Sequence, residues 1–343
     1  MENIFIDNKC FIIAELSANH GGDIEVAKQT IRAAKRAGVD AIKLQTFTAD
    51  TITLDSSNDD FLIKGTIWNG QKLYDLYKEA SLPWAWHEEL FKTAKEEDLV
   101  CFSSPFNFTA VDLLEELDCP IYKIASLEIT DIPLIKYVAS KGKPIIISTG
   151  IATYEDIKLA VDTCREAGNN DITILKCTSS YPAPIEEANL SLMQRFSKDF
   201  DVKVGLSDHT LGIVAPVVAV TLGASVIEKH FILDKNVGGP DASFSLDEAE
   251  FTELVIAIRN AEISIGKNSY ELTEKQVSSR VFKRSLYVTK DIKKGELITN
   301  KNVCSIRPGF GLHPKYLPEI IGKVVVKNLT KGDRFSMNFI KNS

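Results

Sequence analysis

The chain has 343 residues, is 44% hydrophobic and 25% charged, and carries a formal net charge of −7. Acids and bases are interspersed, so no basic stripe points to nucleic acid, and no apolar run is long enough to span a bilayer. The N-terminal MENIFIDNKCF lacks the charged-then-apolar pattern of a signal peptide. Cys10, Cys101, Cys119, Cys164, Cys177 and Cys304 form no CxxC or finger spacing, which predicts reduced thiols in a cytoplasmic protein.

In chain order, short Val- and Ile-rich runs alternate with stretches of helical period. The runs are FIIAEL (11–16), AIKLQT (41–46), VCFSSP (100–105), IYKIAS (121–126), PIIISTG (144–150), ITILKCT (172–178), VKVGLSD (202–208) and SVIEKHF (225–231). Runs apolar on both faces, separated by helices, predict a parallel sheet. Eight such units are the count of an α/β protein of the (β/α)8 TIM-barrel class. A doubly wound open sheet is the competing arrangement, but the first strand–helix junction lacks GxGxxG. The connection 47–83 is long enough to hold a small helix, and after a barrel strand it falls on the active-site face.

Beyond residue 270 the texture changes. KDIKKGE (290–296) and KNLTKGD (327–333) repeat at a spacing of 37, each reading as a turn between short strands. The expected organisation is a barrel over 1–270, a linker over 271–283 and a small, mostly β module over 284–343.

Polar residues gather where the strands end, and in a barrel the carboxyl ends carry the chemistry. They include Glu15, Asn19 and His20, then Lys43 and Gln45, Ser103 and Ser104, Lys123, Ser126 and Glu128, Ser148 and Thr149. Lys176, Ser179 and Tyr181 follow the sixth run, Ser207, Asp208 and His209 the seventh, and Glu228, Lys229 and His230 the eighth. Alternation puts Ser207 with His209, and Glu228 with His230, on one face. His209 and His230 are therefore expected over the barrel mouth, where two imidazoles with open positions suit a divalent metal. Lys229 points the other way, into a charge pair between strand and helix. Lys43, Lys123, Ser104, Ser126, Ser148 and Ser207 have the chemistry of a small-anion cradle, although alternation sets Lys123 and Ser126 on opposite faces. In GGPDASFSLD (238–247) glycines allow a tight loop over the mouth, and Ser245 is placed to cap the next helix. Arg307, in RPGFGLHP, reads equally as a solvated charge or a functional group.

The segments AELSANHGG, IKLQT, FSSPF, YKIAS, GLSDH and IEKHF together resemble the sialic acid synthase (nonulosonic acid synthase) family, and the C-terminal part resembles its antifreeze-like (SAF, β-clip) domain. Within the family, ELSANH, YKIASLEITDIPLI and FSLDEAEF are most similar to the pseudaminic acid branch; the legionaminic and N-acetylneuraminate branches are the alternatives. The resemblance implies condensation of phosphoenolpyruvate with an N-acetylated amino sugar, on a manganese or magnesium ion held by His209 and His230. It implies phosphoenolpyruvate contacts from Lys43, Ser104, Lys123, Ser126, Ser148, Ser179 and Ser207. Glu15, Gln45, Tyr181, Glu228 and Asp241 match positions around sugar and metal; of these, Glu15, Glu228 and Asp241 are the expected catalytic carboxylates, and Glu128 joins the substrate-binding set. It implies a domain-swapped homodimer in which Arg307 reaches the partner's substrate. Ser179 is a departure, standing in CTSSYP where relatives carry Asn. A sugar-phosphate synthase of the 3-deoxy-heptulosonate type and an inert carbohydrate- or ice-binding protein are the competing functions.

Overall fold

The computed structural model describes residues 9–65 and 68–341; the first eight residues, where no signal peptide is expected, lie outside them. The chain divides into two compact units, Met1–Gly266 and Lys267–Ser343. In the first, β1 (Phe11–Glu15), β2 (Ala41–Thr46), β3 (Val100–Pro105), β4 (Tyr122–Ile124), β5 (Ile145–Ser148), β6 (Ile172–Cys177), β7 (Lys203–Asp208) and β8 (Val226–His230) form a closed barrel. All neighbours are parallel, and β1 closes on β8 with Phe11 opposite Val226 and Glu15 opposite His230. Every residue of β1, β5 and β8 is buried, because one face fills the barrel and the other meets helices.

The helices are amphipathic and locally specified. In Ile24–Ala37, Asp23 accepts a hydrogen bond from the Glu25 amide at the N-terminus. Its buried stripe of Ala27, Thr30, Ile31, Ala33, Ala34 and Ala37 lets the helix approach the strands closely. Burying Ile31 alone contributes roughly 1.5–3 kcal/mol. The long connection after β2 carries short helices at Ala49–Ile52 and Leu73–Ala80. β4 is shorter than its apolar run: it stops at Ile124, and a 3-10 turn starts at Ser126.

The second unit opens with a helix, Glu274–Ser279. Its antiparallel pair, β9 (Ser285–Val288) and β10 (Val303–Ile306), packs over Leu286, Val288, Ile298 and Phe335. The two sequence repeats meet each other. Ile292 bridges Leu329, the Lys294 amide donates to Asn328 Oδ1, and the Lys331 amide donates to Asp291 Oδ1, both at 2.8 Å. Their glycines, Gly295 and Gly332, have φ of 91° and 96°, a left-handed turn conformation that other residues resist. Among the described residues no helix is long and apolar enough to cross a membrane.

Candidate active site

A cavity of about 480 Å³ opens at the carboxyl ends of the barrel strands. Its floor is an ionic cluster assembled from four strands. Lys43 Nζ lies 2.7 Å from Glu15 Oε2 and 3.3 Å from Glu228 Oε1. Lys123 Nζ donates to both Glu228 oxygens, at 2.6 and 2.7 Å, and Ser207 donates to Glu228 Oε1 at 3.0 Å. All four charged side chains are nearly inaccessible, so each charge is tolerable only because the others balance it. Burial pushes the Glu15 carboxyl up, but the Lys43 ammonium, its hydrogen bond and the other cationic groups nearby together outweigh it and hold the group down at about 2. Burial likewise opposes the charge on Lys43, yet Glu15 and Glu228 raise its pKa. For Lys123 burial prevails and its pKa is lowered.

A second polar chain runs from this floor to the rim. Gln45 donates to Glu15 Oε1 at 2.7 Å and to Ser17 Oγ at 3.1 Å, and Ser17 donates to Asp241 Oδ2 at 2.5 Å. Ser17 has φ of 47°, a conformation costly for a residue with a Cβ, and its hydroxyl contacts help hold it there. The rings of His209 and His230 lie with centroids 5.3 Å apart. His209 Nδ1 is 3.0 Å from the Thr178 carbonyl and must donate to it, which leaves Nε2 with a free lone pair. His230 Nδ1 is buried without a hydrogen-bond partner, 3.5 Å from Asp241 Oδ2. Two imidazole nitrogens free to ligate, with a carboxylate beside them, fit a divalent cation whose remaining positions belong to water or substrate. Among the described residues no group of three or more His, Cys, Asp or Glu side chains is arranged to hold a metal by itself. The Ser148 and Ser179 hydroxyls are also buried without partners.

Of the side chains singled out in the sequence, Glu15, Lys43, Gln45, Lys123, Ser126, Glu128, Ser148, Tyr181, Ser207, His209, Glu228, His230 and Asp241 line this one cavity. Ser104 is buried behind it, with Oγ 3.4 Å from Lys43 Nζ. Ser179 packs against Gly150, where an added Cβ would stand 2.0 Å from its Oγ. Arg307 is an exposed residue of the second unit. Three expectations are corrected. Lys123 and Ser126 share the cavity, because the strand ends between them and alternation no longer applies. Lys229 pairs with Asp208 of the neighbouring strand at 2.5 Å rather than with a helix, and also donates to the Thr210 carbonyl. Ser245 is no cap: it accepts from Asn19 Nδ2 and donates to the Asp241 carbonyl, while Asp247 caps the helix.

Several strand-end polar groups face away from the cavity. Ser103 joins Thr46 and His87 in an outer network, Lys176 donates to the Cys177 carbonyl, and Asn19 Nδ2 donates to the Phe231 carbonyl. Beyond the apolar lining, the cavity residues not singled out beforehand include Ser17, and Cys177, whose sulfur is 3.8 Å from His209 Nδ1. Alternation along β6 carried the signal for Cys177, since Lys176 faces outward.

The sequence model of the NeuB family matches residues 30–270, and that of the SAF domain matches residues 283–338. The chain belongs to the NeuB family. Among NeuB-type relatives, pseudaminic acid synthase of Campylobacter jejuni is 50% identical over 331 residues, 96% of each chain. N,N'-diacetyllegionaminic acid synthase of Legionella pneumophila is 37% identical over 94% of this chain and 92% of its own. The crystal structure of the Bacillus subtilis spore coat polysaccharide biosynthesis protein spsE superposes with a TM-score of 0.67 at 34% identity, covering 98% of this chain and 97% of that one. The NeuB match covers strands β2 to β8, and with them most of the cavity's charged floor.

Proposed function

We infer that the protein is a pseudaminic acid synthase, joining phosphoenolpyruvate to 2,4-diacetamido-2,4,6-trideoxy-β-L-altropyranose with water to give pseudaminic acid and phosphate. What supports the sugar is the higher identity to the pseudaminic than to the legionaminic relative over nearly the same length. The observation that carries the chemistry is the cavity, where two lysines and several serines stand beside two imidazoles. Lys43, Lys123, Ser126, Ser148 and Ser207 bind the phosphorylated acid, with Ser104 supporting Lys43 from behind and Ser179 beside Gly150; the ammoniums are already oriented by Glu15 and Glu228, so little reorganisation is needed as charge shifts to the leaving phosphate. Gln45, Tyr181 and Asp241 orient the sugar.

His209 and His230 would hold the manganese or magnesium ion, which when bound polarises the aldehyde oxygen of the open-chain sugar. C3 of phosphoenolpyruvate forms the new bond to that carbon, water adds at C2, and phosphate departs with its bridging oxygen. Glu15 and Glu228 are held ionised by the lysines, so at neutral pH they are placed to accept a proton from water rather than to donate one. Burial pushes Glu128 up to about 7, which makes it a carboxyl able to donate a hydrogen bond to the sugar. From the family resemblance we place a homodimer in the cytoplasm, with Arg307 of one subunit completing the other's sugar site.

Product identification by mass spectrometry and NMR tests the assignment, using phosphoenolpyruvate with N-acetylmannosamine and the altro and manno 2,4-diacetamido sugars. Pseudaminic acid from the altro sugar is expected. Turnover of the manno sugar in preference would make the protein a legionaminic acid synthase.

A further inference from the structure

The cavity has a second wall that none of the chemistry above uses. Among the described residues, everything the connection after β2 contributes to the lining between residues 47 and 80 is apolar or aromatic. The same stretch contains nine Asp, Glu and Lys residues, and not one of them lines the cavity. The helix Leu73–Ala80 shows how this is done. Leu73, Leu76, Tyr77 and Ala80, at helical spacing, face the cavity, while Asp75, Lys78 and Glu79 are exposed. An amphipathic helix normally turns its apolar stripe to a core; this one turns it to an open pocket. Ile52, Ile63 and Trp68 extend the surface.

The wall has a defined position relative to the reacting groups. The Tyr181 ring lies 4.4 Å from that of His209 and 6.2 Å from that of Trp68, centroid to centroid. One aromatic ring is therefore a neighbour of both the imidazoles and the wall. The wall is thus within reach of the C4–C6 end of a sugar whose C1 reacts beside the imidazoles.

We propose that Ile52, Ile63, Trp68, Leu73 and Leu76 form the subsite for the far end of the sugar, taking its C6 methyl and 4-acetamido methyl out of water. This rests on the substrate class inferred above and deepens it by naming what selects the sugar. Glu128 lines the same cavity, with Oε2 buried and without a partner, and gives the amide a polar complement. A sugar with hydroxyls at C4 and C6 leaves them facing hydrocarbon, at the cost of their hydrogen bonds to water. An apolar pocket rejects an added hydroxyl only about 100-fold, so the selection is finite and measurable.

The test uses the full-length protein and two sugars, the 2,4-diacetamido-2,4,6-trideoxy substrate and its 6-hydroxy counterpart. Leu73 and Ile63 are both partly exposed, so Leu73→Asn and Ile63→Thr should disturb the fold little. Each should lower the ratio of kcat/KM for the two sugars by about 10-fold, with KM for phosphoenolpyruvate within two-fold of wild type. Leu73→Met should keep the wild-type ratio. Variants that retain wild-type preference, from an enzyme that does use diacetamido sugars, overturn the subsite alone. A wild-type enzyme that turns over only N-acetylmannosamine overturns the substrate class, and the subsite with it.

Discussion

Replacing Lys229 by Met should be among the most destabilising single changes outside the cavity. The Lys229 side chain is 0% exposed and that of Asp208 is 2% exposed. Nζ is 2.5 Å from Asp208 Oδ2 and also bonds the Thr210 carbonyl, tying the ends of β7 and β8 together behind the imidazoles. Asp208 Oδ1 is separately engaged by the Thr210 amide at 3.1 Å, so the carboxylate cannot swing out to water without losing that bond. Met keeps most of the volume and removes the charge, leaving a buried carboxylate without its counter-ion. Breaking such a pair from one side costs about 3–5 kcal/mol, or about 6–20 °C in Tm for a unit of this size. Urea unfolding followed by tryptophan fluorescence reads the barrel selectively, because Trp68, Trp84 and Trp86 all belong to the first unit. Lys229→Met combined with Asp208→Leu should recover most of the loss, since the double variant leaves no orphan charge. A single variant that loses less than about 1 kcal/mol, or a double variant no more stable than the single, would refute the counter-ion reasoning.

Three further outcomes are expected. Because Glu128 is raised to about 7 by burial, the folded state holds its proton more tightly than the unfolded chain; its contribution is complete below about pH 4.5 and is lost as pH rises through about 7. Glu128→Gln should therefore gain stability relative to wild type by about 1–3 kcal/mol between pH 5 and 8; a constant difference in urea midpoints across that range would show that Glu128 titrates normally. Gly150→Ala sets a Cβ 2.0 Å from Ser179 Oγ and 2.8 Å from Ser126 Oγ. It should cost about 1–3 kcal/mol and raise KM for phosphoenolpyruvate, with Ser179→Ala in the same chain regaining part of the stability; unchanged stability and KM would mean the serines move aside freely. Chelation should abolish turnover, manganese or magnesium should restore it, and His230→Gln should weaken cation binding in calorimetry while circular dichroism stays unchanged. Full activity after exhaustive metal removal would disprove the role given to the two histidines.

The barrel was legible in the chain because each strand is buried on both faces. A run such as FIIAE must be apolar almost throughout, and the runs at 41–46 and 100–105 coincide with β2 and β3. The imidazole pair was legible too, since a period of two fixes which of Glu228, Lys229 and His230 faces inward once the strand is known. Tertiary structure decided whatever depended on where a strand stops or what lies across from it. Ser126 entered the cavity because β4 ends at Ile124, and hydrogen bonding to neighbours, not composition, sets that end. Lys229 found Asp208 because β7 and β8 lie in a register that pairs those two residues. Ser245 was drawn from the helix end to Asn19, more than two hundred residues away in the chain. The apolar wall of the cavity was hidden for the same reason: an amphipathic helix announces an apolar face, but only packing decides whether that face meets a core or an opening.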